Sequence, residues 1–124
     1  MKKIFGMIYV FIFLFTSISF AADPVKVGPN IYKVIFENEK IRVSEVTFKP
    51  GDKIPMHSHP DHFLYVLEAG KLILSYPDGH TSDFDAKAGQ IVWIKAETHA
   101  GENVGTTEFK ALVAELKPLP AENL

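Results

Sequence analysis

The sequence predicts an all-β domain carried behind an N-terminal export signal. Three observations predict this class. Apolar and β-branched runs of four to eight residues recur between Ile31 and Leu116, clusters of Pro, Gly, Asn and Asp separate them, and no stretch shows a helical period. Many short strands at this spacing mean a sandwich or a barrel. The chain has 124 residues, 47% of them hydrophobic and 23% charged, which is enough for one packed core and too apolar for disorder. It contains no internal repeat, linker or low-complexity segment.

The first segment is expected to be removed before the domain folds. Met1-Lys2-Lys3 is followed by an apolar run from Ile4 to Phe15 and by small residues ending Ser19-Phe20-Ala21. A basic start, about a dozen apolar residues and small side chains at −3 and −1 predict a secretory signal peptide over residues 1–21, cut after Ala21. A retained membrane anchor is the alternative, but the run is short of the roughly 20 residues a bilayer span needs. The expected mature protein, residues 22–124, is one domain with its core at about 31–116. It is expected in the periplasm or outside the cell, and off the membrane once the signal is removed.

Strands are expected at Ile31–Phe36 and at Ile41–Phe48, where apolar and polar residues alternate for most of the run. Lys49-Pro50-Gly51-Asp52 breaks the second. Phe63–Leu67 and Leu72–Tyr76 follow, then Pro77-Asp78-Gly79 as a tight turn before the more polar Thr81–Asp85. Ala88-Gly89 opens Ile91–Ile94, and Phe109–Leu116 is the last strand. Within Phe63–Leu67, both the Phe63/Tyr65/Leu67 face and the Leu64/Val66 face are apolar. A sheet apolar on both sides is covered on its outer side, which points to a homodimer.

Composition narrows the chemistry. A formal net charge of −2 gives no electrostatic case for nucleic-acid binding, and loss of Lys2 and Lys3 makes the mature chain more acidic still. The absence of cysteine excludes disulfides, thiolate-held metals, thiol nucleophiles and a Cys-linked lipid anchor. Neither a glycine-rich phosphate loop nor a Gly-x-Ser-x-Gly elbow occurs.

The histidines carry the remaining signal. His57 and His59 are two apart in Pro55-Met56-His57-Ser58-His59-Pro60, so an extended backbone aims both rings to one side. Two converging imidazoles hold late first-row divalent metals, although an isolated His-x-His is as well explained by solvated loop residues. His99 follows the Ile91–Ile94 run, His62 lies three residues beyond His59, and His80, beside Asp78-Gly79, reads as a solvated turn residue.

Gly51-x5-His57-x-His59-x10-Gly70 resembles the first cupin motif, and Gly89-x9-His99-x3-Asn103 resembles the second. The likeness runs from about Ile41 to Leu116. Pro55–Leu67 and Gly89–Asn103 look particularly like the small cupins associated with β-alanine degradation. The resemblance implies a double-stranded β-helix, or jelly-roll barrel, of roughly six to eight strands. It also implies a divalent metal (Zn, Fe, Mn, Ni or Cu) held in the barrel mouth by His57, His59 and His99.

Two departures matter. Phe63 stands where the family usually has a glutamate ligand, and Lys95-Ala96-Glu97 stands in place of Pro-x-Gly, one residue shorter before His99. His62 is the expected substitute ligand, with Asp61 a weaker one, yet strand alternation would turn His62 outward if Phe63 faces in. Phe63, Tyr65 and Trp93 are then either barrel core or the wall of a substrate pocket. Glu97 and Glu102 are candidates to orient His99 or to move protons.

Three neutral imidazoles leave the metal's charge uncompensated, which favours a small, anionic organic ligand. Sites of this composition resemble those of thiol and diketone dioxygenases, so oxygenase- or isomerase-like turnover is one expectation. Non-catalytic binding of a small molecule or of metal is the other.

Overall fold

A computed structural model describes residues 22–121. The expected signal peptide at 1–21 lies outside the described residues. The described chain opens with one turn of helix, α1 (Pro24–Val27), capped by Asp23, whose carboxylate accepts the Val25 N–H at 2.8 Å. Nine strands follow: β1 (Tyr32–Glu37), β2 (Ile41–Phe48), β3 (Lys53–His59), β4 (His62–Glu68), β5 (Gly70–Ser75), β6 (Thr81–Ala86), β7 (Ile91–Ile94), β8 (Glu97–Asn103) and β9 (Phe109–Leu116).

The strands form two antiparallel sheets, ordered β1-β2-β9-β4-β7 and β3-β8-β5-β6. Between them Val46, Phe48, Ile54, Val66, Leu72 and Phe109 close one end of the interior. Gly70 lets the sheets approach there, because a Cβ on it would lie 2.7 Å from the Phe109 Cβ. The turn at Gly51 needs φ +86°, a conformation other residues adopt only with strain.

Seven of these strands are the runs expected from alternation. The other two, β3 and β8, are those that carry the histidines. Their inward positions are Ile54, His57 and His59 on β3, and His99, Gly101 and Asn103 on β8. Polar residues facing the interior remove the apolar half of the period-2 signal, so hydropathy alone does not reveal them.

Strand β4 corrects the expected register. His62, Leu64 and Val66 point inward and are buried, whereas Phe63, Tyr65 and Leu67 face out. Phe63 pairs with Trp93 and Tyr65 with Ile91 across β4 and β7, and all four are on the outer surface. Phe63, Tyr65 and Trp93 are therefore not walls of an interior pocket. Both faces of β4 are apolar, so alternation alone admits either parity. The position of the family's absent glutamate pointed to the wrong one.

Candidate metal centre

The register of β3 on β8 sets His57 directly opposite His99. His59, two residues on, falls on the same inward side. Their ring centroids lie 4.7–5.2 Å apart, and one ligand nitrogen from each ring falls within 4.8 Å of the others. Metal–nitrogen bonds of about 2.1 Å bridge such a set after small side-chain adjustments. The Pro60-Asp61 link then crosses to the other sheet, and the His62 ring arrives 4.6 Å from that of His59. Asp61 does not join them: it is exposed, and its carboxylate accepts the Ala96 N–H at 2.8 Å.

Each of the four rings has its Nδ1 tied to an acceptor. His57 Nδ1–H donates to the Pro55 carbonyl and His62 Nδ1–H to the Pro60 carbonyl, both at 2.8 Å. His59 Nδ1–H donates to Glu115 Oε1 at 2.7 Å and His99 Nδ1–H to Glu97 Oε1 at 2.8 Å. Carbonyls and carboxylates only accept, so these partners place the proton on Nδ1 and leave Nε2 with the lone pair. His57 Nε2 is buried and has no hydrogen-bond partner. A buried nitrogen lone pair without a donor is costly in a closed protein and is what a metal ion would satisfy. On this test the residues fit a divalent metal.

Burial pushes His57 down to about 4, with the neighbouring His59 and His99 rings adding to it and the Pro55 carbonyl opposing it. Burial likewise lowers His99 to about 4 and moves His62 downward. These imidazoles are neutral near pH 7, the form that ligates metal.

Behind His59 stands a charged chain that the sequence analysis missed. Glu115 pairs across the ladder with Arg42 on one side and with His62 on the other. Arg42 reaches Glu115 at 2.7 Å and Asp23 at 2.8 Å. Burial would raise the Glu115 carboxyl, but the bonds from His59 and Arg42 and the guanidinium charge outweigh it and hold Glu115 below its usual value. Glu115 was visible as the lone charged side chain at an inward position of β9, in line with Phe109, Ala111 and Val113. His62 also had a signal, since Pro60-Asp61-His62 repeats the Pro-x-His arrangement of Pro55-Met56-His57.

The rings line a cavity of about 240 Å³. Phe48, Leu72 and Phe109 are among its apolar lining, and Tyr32, Tyr76 and Ser82 add hydroxyls. Tyr32 packs 5.9 Å from both the His57 and the His59 ring, and burial raises its phenol, so it stays protonated. No lysine or arginine is among the lining residues. The remaining candidates lie elsewhere: Glu102 is beside Lys53 at 3.6 Å, and His80 stacks on Tyr76 in the exposed turn, bonded to Asp78.

Comparison with known proteins agrees with this architecture. No curated protein matches the chain significantly. Among solved structures, a cupin domain from Bordetella pertussis Tohama I is 28% identical, with a TM-score of 0.66 over 71% of this chain and 93% of that one. A cupin family protein from Methanocaldococcus jannaschii shares the fold at 15% identity and a TM-score of 0.57, over 69% of this chain and 78% of its own. A double-stranded β-helix protein from Klebsiella pneumoniae does so at 22% and 0.56, over 72% and 84%. The family model described as "Cupin domain" matches residues 44–115, from inward-facing Ser44 on β2 to Glu115, and so spans the four histidines of the site. The chain belongs to the cupin family.

Proposed function

We propose that this protein is an exported small cupin that holds one divalent transition metal on His57, His59 and His99, with His62 as fourth ligand. The ligand it takes is a small organic anion. One observation carries the reading: four rings around one cavity have Nδ1 committed to an acceptor, and the His57 Nε2 is buried without a partner. Export is supported by the Met1–Ala21 pattern.

A divalent ion at such a site supplies Lewis acidity and, for a redox metal, electron transfer. The chain supplies the rest. Glu115 and Glu97 fix the His59 and His99 rings. The apolar lining accepts the carbon body of a ligand, and the protonated Tyr32 phenol is a hydrogen-bond donor beside the metal-facing rings. With no Lys or Arg in the lining, the ion would be the main neutralising charge, which suits one carboxylate or enolate better than a dianion. The likeness of Pro55–Leu67 and Gly89–Asn103 to β-alanine-degradation cupins supports a small carboxylic acid.

Binding without turnover is the second reading. The carboxylates lining the cavity are Glu97, already bonded to His99, and Asp83, on the exposed side of β6, so no buried carboxylate is free to act as a general base. Elemental analysis of protein purified without a histidine tag tests the proposal. Near-stoichiometric metal is expected in the wild type and none in His99→Ala. His62→Ala should weaken binding about as much as His57→Ala. Wild-type protein that carries no metal and takes none up would overturn the metal reading.

A further inference from the structure

Strand β3 carries His57 and His59, yet it is the edge of its sheet, with β8 on one side only. It also contains Pro55, and its pairing with β8 shifts register between Ile54 and His57. An edge strand with such a bulge bends locally and leaves backbone groups unpaired, which is poor support for two ligands. The segment Ala22–Gly28 supplies the missing support. The Ala22 carbonyl accepts the Ser58 N–H at 2.9 Å, between the two histidines and on the side of β3 away from β8. Pro24 is fully buried, and Gly28 lies so close to Ile54 that a Cβ there would stand 2.4 Å from its Cδ1. The Gly28 carbonyl accepts the Tyr32 N–H at 2.9 Å, fixing the residue whose ring packs on His57 and His59.

A side-chain path runs beside this backbone contact. Asp23 caps α1 and accepts from Arg42 Nη1 at 2.8 Å. Arg42 Nε donates to Glu115 Oε2 at 2.8 Å, and Glu115 Oε1 accepts from His59. A planar guanidinium held between two carboxylates transmits orientation as well as charge. We propose that Ala22–Gly28 braces the histidine cluster. Ala22 fixes the backbone between His57 and His59, and Asp23 is a positioning residue that sets the His59 ring through Arg42 and Glu115. The brace lies outside residues 44–115, the span that the family model matches. Its effect on metal affinity rests on the metal centre proposed above, whereas its effect on the His59 ring does not.

Asp23→Ser separates capping from positioning, because serine caps a helix about as well as aspartate but cannot grip Arg42. Its metal affinity, measured against a metallochromic chelator, should fall about tenfold, the low end for a group that supports a ligand. In Glu115→Gln the path is already cut, since the one amide oxygen serves either His59 or Arg42, so adding Asp23→Ser should cost little further affinity. In the metal-free protein the imidazole nitrogen signals of His59 should move in Asp23→Ser, by more than those of His99, which Glu97 holds independently. The Ser58 amide of the wild type should exchange slowly with solvent, where an uncovered edge-strand amide exchanges fast. Wild-type affinity with unmoved His59 signals in Asp23→Ser would overturn the positioning role, and fast exchange at Ser58 the backbone one. Equal losses in the wild-type and Glu115→Gln backgrounds would overturn the path through Glu115. A wild type that binds no metal would overturn the metal reading, while the exchange and imidazole measurements, made without metal, still decide the brace.

Discussion

Imidazoles crowded into one barrel mouth would repel each other if protonated, and burial favours the neutral form of His57, His62 and His99. The ordinary histidine value of 6.5 falls to about 4 for His57 and His99, chiefly because burial penalises the charged ring. This makes a prediction for the metal-free protein. Between pH 6.5 and 4 the unfolded chain takes up protons at these two positions and the folded chain refuses them. Stability is therefore flat with respect to them above about pH 7 and declines as pH falls through that window. A tenfold difference in proton affinity is worth about 1.4 kcal/mol, so the loss at its acid end reaches several kcal/mol. Urea unfolding of chelated protein at about pH 7.5 and about pH 5 checks it. A lower midpoint is expected at the acid end, with part of the difference removed in His57→Asn. Equal midpoints would mean that the rings accept protons freely and are less buried than described.

At the scale of elements, the mouth is organised by one inward row across three strands: Arg42 on β2, Glu115 on β9 and His62 on β4. Glu115 holds His59 from behind, and Arg42, itself held by Asp23 at the α1 cap, holds Glu115. Glu115→Gln keeps the shape and an acceptor for His59 but removes the charge, so metal affinity should fall about 10–100-fold with the fold intact. Arg42→Met should instead cost about 3 kcal/mol of stability, because it leaves a buried carboxylate without its cation. Competition against a metallochromic chelator reads the first, and denaturant unfolding the second. Unchanged affinity in Glu115→Gln would make the carboxylate a fold element only. The same strands show what the sequence could reveal. β2 was legible because apolar and polar residues alternate along most of its length, and β9 because it is a nearly continuous apolar run, although neither shows from its own sequence which face turns inward. β3 and β8 were legible only through the motif spacing, since His57, His59, His99 and Asn103 occupy the positions that alternation would fill with valine. β4 was legible as a strand but not in its parity, because Phe63 and Tyr65 on its outer face are as apolar as Leu64 and Val66 within. Arg42 and Glu115 escaped because they are far apart in sequence, and only strand pairing makes them neighbours.

For the whole molecule, the site lies across the seam of the barrel. His57, His59 and His99 stand on the four-stranded sheet, while His62 and the Glu115 that grips His59 belong to the five-stranded one. Gly70 and Phe109 bring the sheets together away from the histidines, and at the mouth the His59–Glu115 bond and the Tyr32 ring against His57 and His59 join them. An ion bound by all four rings would add a link between the two sheets there. Because it binds the folded form, it stabilises by mass action, about 2.7 kcal/mol when free metal is a hundredfold above its dissociation constant. For a domain of this length, each kcal/mol moves the melting temperature by roughly 4–8 °C, so saturating metal should raise it by 10 °C or more. Thermal scans at fixed protein concentration, with chelator and then with metal restored, measure the shift while holding any dimerisation constant. His62→Ala separates two arrangements. If His62 bridges the sheets as a ligand, the variant binds metal about as weakly as His57→Ala, and the metal-dependent rise shrinks by more than half. If His62 only fills the mouth, its removal lowers the metal-free and metal-loaded melting temperatures equally and the rise is unchanged. Identical melting of the wild type with and without metal would mean that the seam is held without an ion.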